Sequence, residues 1–142
     1  MSNLQGFFGA VLLAALLAGC ATRPAIVAGP CADADLSIYF DENSADITGP
    51  AHALIADTVR HARGCAVQEV DVLGLADYRG PADANLDLSR HRAEAVARAL
   101  ADAGLPAPHF SIDAAGEAGS IAAPGVVEPL RRRAEVVIKY QR

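Results

Sequence analysis

Asp77 and Arg92 are the residues of this 142-residue sequence whose types and placement point most directly to chemistry. On a helix at about 100° per residue, Ala93, Val96, Ala99, Leu100 and Ala103 form one apolar stripe. Asp87, Arg90, Glu94, Arg98 and Asp102 crowd the opposite arc. Arg92 breaks this partition. It falls about 40° from the centre of the stripe, with Asn85 and Ser89 on the same side nearer the helix start. A guanidinium turned inward requires a paired anion. Asp77 lies in the loop that joins the end of a strand at Gly74 to this helix, so it should face Arg92 across a crevice. Such a crevice, beyond the carboxyl end of a strand and beside a helix N-terminus, favours anions. One carboxylate and one fixed guanidinium suit a zwitterion: Asp77 takes its ammonium and Arg92 its carboxylate in a forked pair. A structural ion pair that merely neutralises itself fits the same pattern, and the pattern leaves both readings open.

Other reactive side chains show no catalytic arrangement. His52, His61, His91 and His109 lack metal-ligand spacing with each other or with carboxylates. Ser89 belongs to a helical stretch and not to a G-x-S-x-G turn. The reading is a non-catalytic binding protein with no metal and no cofactor.

The elements that must position Asp77 and Arg92 follow from periodicity. Leu36, Ile38 and Phe40 alternate as a first strand. Gly49-Pro50 opens a helix with Ile55, Thr58, Val59 and Ala62 on one side and Asp57, Arg60 and His61 on the other, ended by Gly64. Val70 and Val72 alternate with Glu69 and Asp71 in a second strand that stops at Gly74. A second helix is predicted from Asn85 to Gly104, with Leu105-Pro106 as its stop. Phe110, Ile112 and Ala114 form a third strand, and Gly116 to Pro129 a flexible connection. Ala134, Val136, Ile138 and Tyr140 form the last strand, with Glu135 and Lys139 on its other face. The order β-α-β-α-β-β predicts an α/β two-layer sandwich, a small mixed sheet covered on one face by two helices.

The N-terminal end carries different information. Gly6 to Gly19 has no charge and is too short to span a bilayer comfortably. Ending in Leu17-Ala18-Gly19-Cys20, it reads as a signal peptide over residues 1–19 with a lipobox, so that Cys20 is lipidated and becomes the mature N-terminus. Met1 to Gln5 lacks the positive charge usual for such leaders. Residues 20–35 read as a tether, able to reach roughly 50 Å at about 3.3 Å per residue, and residues 36–142 as the one folded domain. An exported chain meets an oxidising compartment, where Cys31 and Cys65 can pair if the first strand and the first helix run antiparallel; two free buried thiols are the alternative. The net charge of −5 argues against a nucleic-acid partner.

The loop and helix together resemble a known signature. Gly74-Leu75-Ala76-Asp77-Tyr78-Arg79-Gly80, then Asn85-Leu86-Asp87-Leu88-Ser89-Arg90-His91-Arg92-Ala93, is similar to the G-x-x-D-x-x-G and N-x-x-L-S-x-x-R-A pattern of OmpA-like peptidoglycan-binding domains, including the fifteen-residue step from Asp to Arg. Tyr39-Phe40-Asp41, Gly116-Glu117 and Arg132-Arg133-Ala134-Glu135-Val136 extend the resemblance to about Leu36–Tyr140. It departs from the pattern at Leu75, at Arg131, where an Asn is usual, and in its short Gly116–Pro129 connection.

The resemblance implies binding of peptidoglycan through the diaminopimelate of the stem peptide, with Asp77 and Arg92 as the ligand pair. It further implies that Asn85 braces the loop and that backbone groups near Phe40 and Asp41 line the pocket. The lipobox and the loop Ala76–Gly80 resemble the lipoprotein branch of that family, which implies an outer-membrane anchor facing the periplasm and a tether between that membrane and the wall. Ala21 after the lipidated cysteine agrees with sorting to the outer membrane. Members of that branch work with Tol proteins, so an interaction module for a Tol-type or secretion partner is the alternative function.

Overall fold

The computed structural model describes residues 31–106, 109–123, 126–127 and 131–141. The leader over 1–19, Cys20 and the tether up to residue 30 lie outside them. The elements are β1 (Ala34–Tyr39), α1 (Gly49–Ala62), β2 (Val67–Gly74), α2 (Ala82–Asp102), β3 (Phe110–Ala114), β4 (Ile121–Ala123), β5 (Val126–Val127) and β6 (Arg133–Tyr140).

β1, β6, β2 and β3 form a four-stranded sheet in that spatial order. β6 runs antiparallel to both β1 and β2, while β2 and β3 are parallel and joined through α2. The last strand thus inserts between the first and second. Its alternating sequence suits that place: Ala134, Val136, Ile138 and Tyr140 are all buried, and no proline interrupts the ladders on its two sides. The predicted two-layer α/β sandwich with a mixed sheet is the observed fold.

One core joins the layers. Ile38, Val70, Val72, Val136 and Ile138 meet Ala51, Ile55, Val59 and Ala62 of α1 and Ala93, Val96, Ala97 and Leu100 of α2. Strand alternation sends the charges to the other face, where Lys139 contacts Asp71 at 2.6 Å and Glu69 at 3.1 Å. α1 begins where Thr48 accepts a hydrogen bond from the Ala51 N–H, a side-chain cap that satisfies one of the free donors of the first turn.

Several boundaries differ from the expectation. β1 starts at Ala34, inside the stretch read as tether, because its backbone pairs with the end of β6 (Ala34 opposite Ile138). α2 starts at Ala82, one turn before Asn85, which places Asn85 within the helix. Ile112 lies opposite Val72 but is 43% exposed, since β3 is the outer strand of the sheet. The connection after Gly116 contains the β4–β5 hairpin in addition to the expected loop.

Cys31 and Cys65 are joined in a disulfide, their Cα atoms 5.5 Å apart. The bond ties the segment before β1 to the turn after α1, as the antiparallel course of strand and helix allows. Closing a loop of sequence separation 34 contributes about 3 to 4 kcal/mol in the chain-entropy account.

Candidate functional site

The site forms where the end of β1, the end of β2 and the start of β6 meet the start of α2 at one end of the sheet. Gly74 makes the close approach possible. A Cβ there would sit 1.8 Å from the Ser89 carbonyl oxygen, so only glycine lets β2 end against the helix backbone. Beyond Gly74, the Leu75 N–H donates to the Arg133 carbonyl and the Ala76 N–H to the Gly116 carbonyl. Leu75 and Ala76 are buried, and the chain then turns outward at Asp77.

Arg92 occupies the inward position that its helical phase assigns it, and it is fully buried. Its Nε donates to the Ser44 carbonyl at 2.8 Å, Nη1 to the Leu75 carbonyl at 3.0 Å and Nη2 to the Asp41 carbonyl at 3.1 Å. Its Cζ lies 5.2 Å from the centre of the Phe40 ring, a cation–π distance. One side chain therefore holds the β1–α1 loop, the β2–α2 loop and the helix together. Burial lowers the Arg92 pKa, the Asp77 charge opposes that shift, and the Arg132 charge adds to it. An arginine stays protonated under all these influences.

Asp77 and Arg92 share one crevice, lined also by Glu42, Asn43, Arg79, Asn85, Leu88 and Arg132. Among the described residues, the cation paired with the Asp77 carboxylate is Arg132, whose Nε is 3.6 Å from Oδ2. Across the mouth, Arg79 reaches Glu42 at 3.7 Å, and both are more than half exposed. The cavity is about 20 Å³, room for about one water, so a larger guest has to part these ionic contacts.

Asn85 donates from Nδ2 to Glu117 Oε2 at 2.7 Å, and Ser89 Oγ accepts from the Gly116 N–H at 3.0 Å. The turn after β3 is thus fastened to the first two turns of α2. Phe40 and Asp41 stand behind Arg92, one under the guanidinium plane and one through its carbonyl, and the crevice wall itself is made by Glu42 and Asn43. Asn43 adopts a left-handed conformation (φ 53°), which asparagine tolerates better than most residues.

Arg132, Arg79 and Glu42 were not singled out by periodicity. A usable signal existed for Arg132: it has the parity of Ala134 and Val136, which face the helices, whereas Arg133 has the parity of Glu135, to which it donates on the other face. Arg131, one of the departures, donates to the Gly119 and Ala118 carbonyls and braces the turn that follows β3. Among the described residues, no cluster of histidine, cysteine and carboxylates could hold a metal, and no helix is long and apolar enough to cross a membrane.

Comparison with known proteins agrees with this architecture. The model of the OmpA family matches residues 39–128. No curated protein sequence matches the chain significantly. Among solved structures, the peptidoglycan-associated lipoprotein from Burkholderia pseudomallei is 26% identical, over 74% of this chain and 89% of that one, with a TM-score of 0.54. The cell wall anchor of the T6SS from Pseudomonas aeruginosa is 24% identical over 77% and 82%, with a TM-score of 0.57. The C-terminal domain of Helicobacter pylori MotB is 19% identical over 75% and 84%, with a TM-score of 0.59.

Proposed function

The chain belongs to the OmpA family, and on that premise we propose that it binds peptidoglycan without catalysis and tethers the outer membrane to the wall. The carrying observation is the crevice that Asp77 and the buried Arg92 share at one end of the sheet. Asp77 receives the free ammonium of the stem peptide's diaminopimelate, and the guanidinium side of the crevice receives the adjacent carboxylate. Asn85 holds the loop through Glu117, and Phe40 and Asp41 hold Arg92. The likeness to a peptidoglycan-associated lipoprotein supports this reading, as does the family match. A lipid on Cys20 supplies the membrane end, with residues 21–30 as spacer and the disulfide-closed domain from Cys31 onward as the wall-binding end.

Cosedimentation of the full-length chain with purified sacculi tests the reading. The wild type is expected in the pellet and Asp77→Asn in the supernatant, with equal melting temperatures. Equal pelleting of the two proteins removes the crevice from the function.

A second reading has its own observation. Between α1 and α2 runs an open groove of about 710 Å³ with Ile47, Ile55 and Ala99 in its floor and Asp46, His52 and Arg98 on its rim. An interaction module for a Tol-type or secretion protein would use such a surface. Periplasmic crosslinking from groove positions that captures a protein, together with no retention on sacculi, would favour it.

A further inference from the structure

We propose that the open edge of β1 is a docking site for an extended segment of a partner protein, one that alternates branched aliphatic residues with lysine or arginine. The surface shares no residue with the lining of the Asp77 crevice, and the inference does not depend on the peptidoglycan reading.

The direction of the backbone groups comes first. β1 stands at the end of the sheet order, so among the described residues no strand pairs with its outer side. The Phe40 N–H donates to the Arg132 carbonyl, toward β6. Successive residues of a strand turn their backbone groups to opposite sides, and the ladder from Ala34 to Tyr39 runs without a register shift. Leu36 and Ile38 therefore face β6 with their N–H and C=O groups, while those of Asp35, Ser37 and Tyr39 face outward. Such a row is a template for another strand. Proline or a bulge commonly blunts an open edge; β1 has neither.

Each face of this edge carries a recess for one set of an added strand's side chains. On the helix side, Ile38, Tyr39, Pro50, Ala51 and Leu54 line a mainly apolar cavity of about 150 Å³. Tyr39 and Leu54 are exposed there although large and hydrophobic, so an aliphatic side chain that covers them gains buried area. On the other face, Asp35, Ser37, Glu135 and Val137 line a recess of about 320 Å³. The strands present five carboxylates on that face, Asp35, Glu69, Asp71, Asp113 and Glu135, against the two cations Arg133 and Lys139. Lys139 is engaged by Asp71 and Glu69, and Arg133 by Glu135. Asp35, on the edge strand itself, is left in excess, and a cationic side chain is its complement. An extended segment sends alternate side chains to opposite faces, so the two recesses read alternate positions of one strand. A second copy of β1 would supply the aliphatic residues but would set one acidic face beside another. The charge therefore selects a basic segment over this chain.

Titration of the full-length chain with an end-blocked peptide of alternating valine and lysine, six residues long to match β1, tests the assignment. The peptide should bind and should protect the amides of Ser37 and Tyr39 from hydrogen exchange. Its counterpart of alternating valine and glutamate should bind at least about tenfold more weakly, and Asp35→Lys should narrow that gap. Ser37→Pro removes an outward N–H at a place where an edge strand tolerates proline, and it should weaken the lysine peptide by about threefold to tenfold with the β6 ladder intact. Leu54→Glu, on the exposed side of α1, tests the apolar recess without touching the sheet and should also weaken binding. Equal binding of the two peptides would overturn the proposal, as would binding that leaves Ser37 and Tyr39 unprotected, or no binding at all. A dimer in sedimentation equilibrium that Ser37→Pro dissolves and the lysine peptide cannot displace would assign the edge to a second copy instead.

Discussion

Gly74 and Ser89 meet backbone to backbone: a Cβ on Gly74 would lie 1.8 Å from the Ser89 carbonyl oxygen and 2.7 Å from its carbonyl carbon. The end of β2 and the second turn of α2 thereby share a position that no side chain can enter. Asp77 leaves the strand three residues after Gly74, and Arg92 follows Ser89 by three, so this contact sets the distance between the two halves of the crevice.

Substitution of Gly74 tests that role. Gly74→Ala meets helix backbone, which cannot rotate away as a side-chain tip would, so α2 must shift. The expected destabilisation is about 1 to 3 kcal/mol or more, the range for overpacked sites, read as a lower urea midpoint. Retention on sacculi should fall as well. A variant with wild-type midpoint and wild-type retention would show that the contact does not govern the site.

Arg92 gives the second prediction. Arg92→Ala takes the guanidinium away from the carbonyls of Ser44, Leu75 and Asp41, of which Asp41 keeps only the Ser44 N–H at 3.3 Å. Breaking such a buried charged network costs about 3 to 5 kcal/mol. Arg92→Lys should destabilise substantially too, because one ammonium cannot reach three carbonyls spread around a planar group. Denaturant unfolding gives the magnitude. Hydrogen exchange should show faster opening of the loop between β1 and α1. If Arg92→Lys unfolds like the wild type, charge alone accounts for the residue.

Alkaline pH supplies the third. The Lys139 pKa is raised, chiefly by hydrogen bonds to Asp71 and then Glu69, and the Tyr140 pKa is raised by burial and then by the Asp33 charge. For both groups the folded protein holds its proton more tightly than the unfolded chain. Their contribution is therefore complete below the unfolded values, about 10 for each, and is lost as pH rises through the higher folded values. Melting temperature should decline across that alkaline window. Lys139→Met and Tyr140→Phe together should flatten the decline. An unchanged slope in the double variant would place the titration elsewhere.

Much of the architecture was legible because strand and helix periods survive in the apolar residues. The alternation in Ala134, Val136, Ile138 and Tyr140 marked the last strand, and its central place in the sheet agrees with burial of all four. The phase of Arg92 marked an inward guanidinium. Ile112 shows the opposite case. Its alternation marked a strand, but exposure at a sheet edge depends on what lies beyond the strand, which no local pattern records. The start of α2 was missed for a similar reason: Pro81 precedes the helix without a side-chain cap, so no capping residue announced it.

From its residues alone, this chain declared its element order, its inward arginine, its loop aspartate and the cysteines that could pair, because each follows from local spacing or residue chemistry. Which groups satisfy one another was decided only in three dimensions. Arg92 turned out to be held by carbonyls from two loops, one of them about fifty residues away, and Asp77 to face Arg132, the residue just before the last strand. Hydrogen-bond partners are assigned by proximity after packing, and sequence distance carries no record of it.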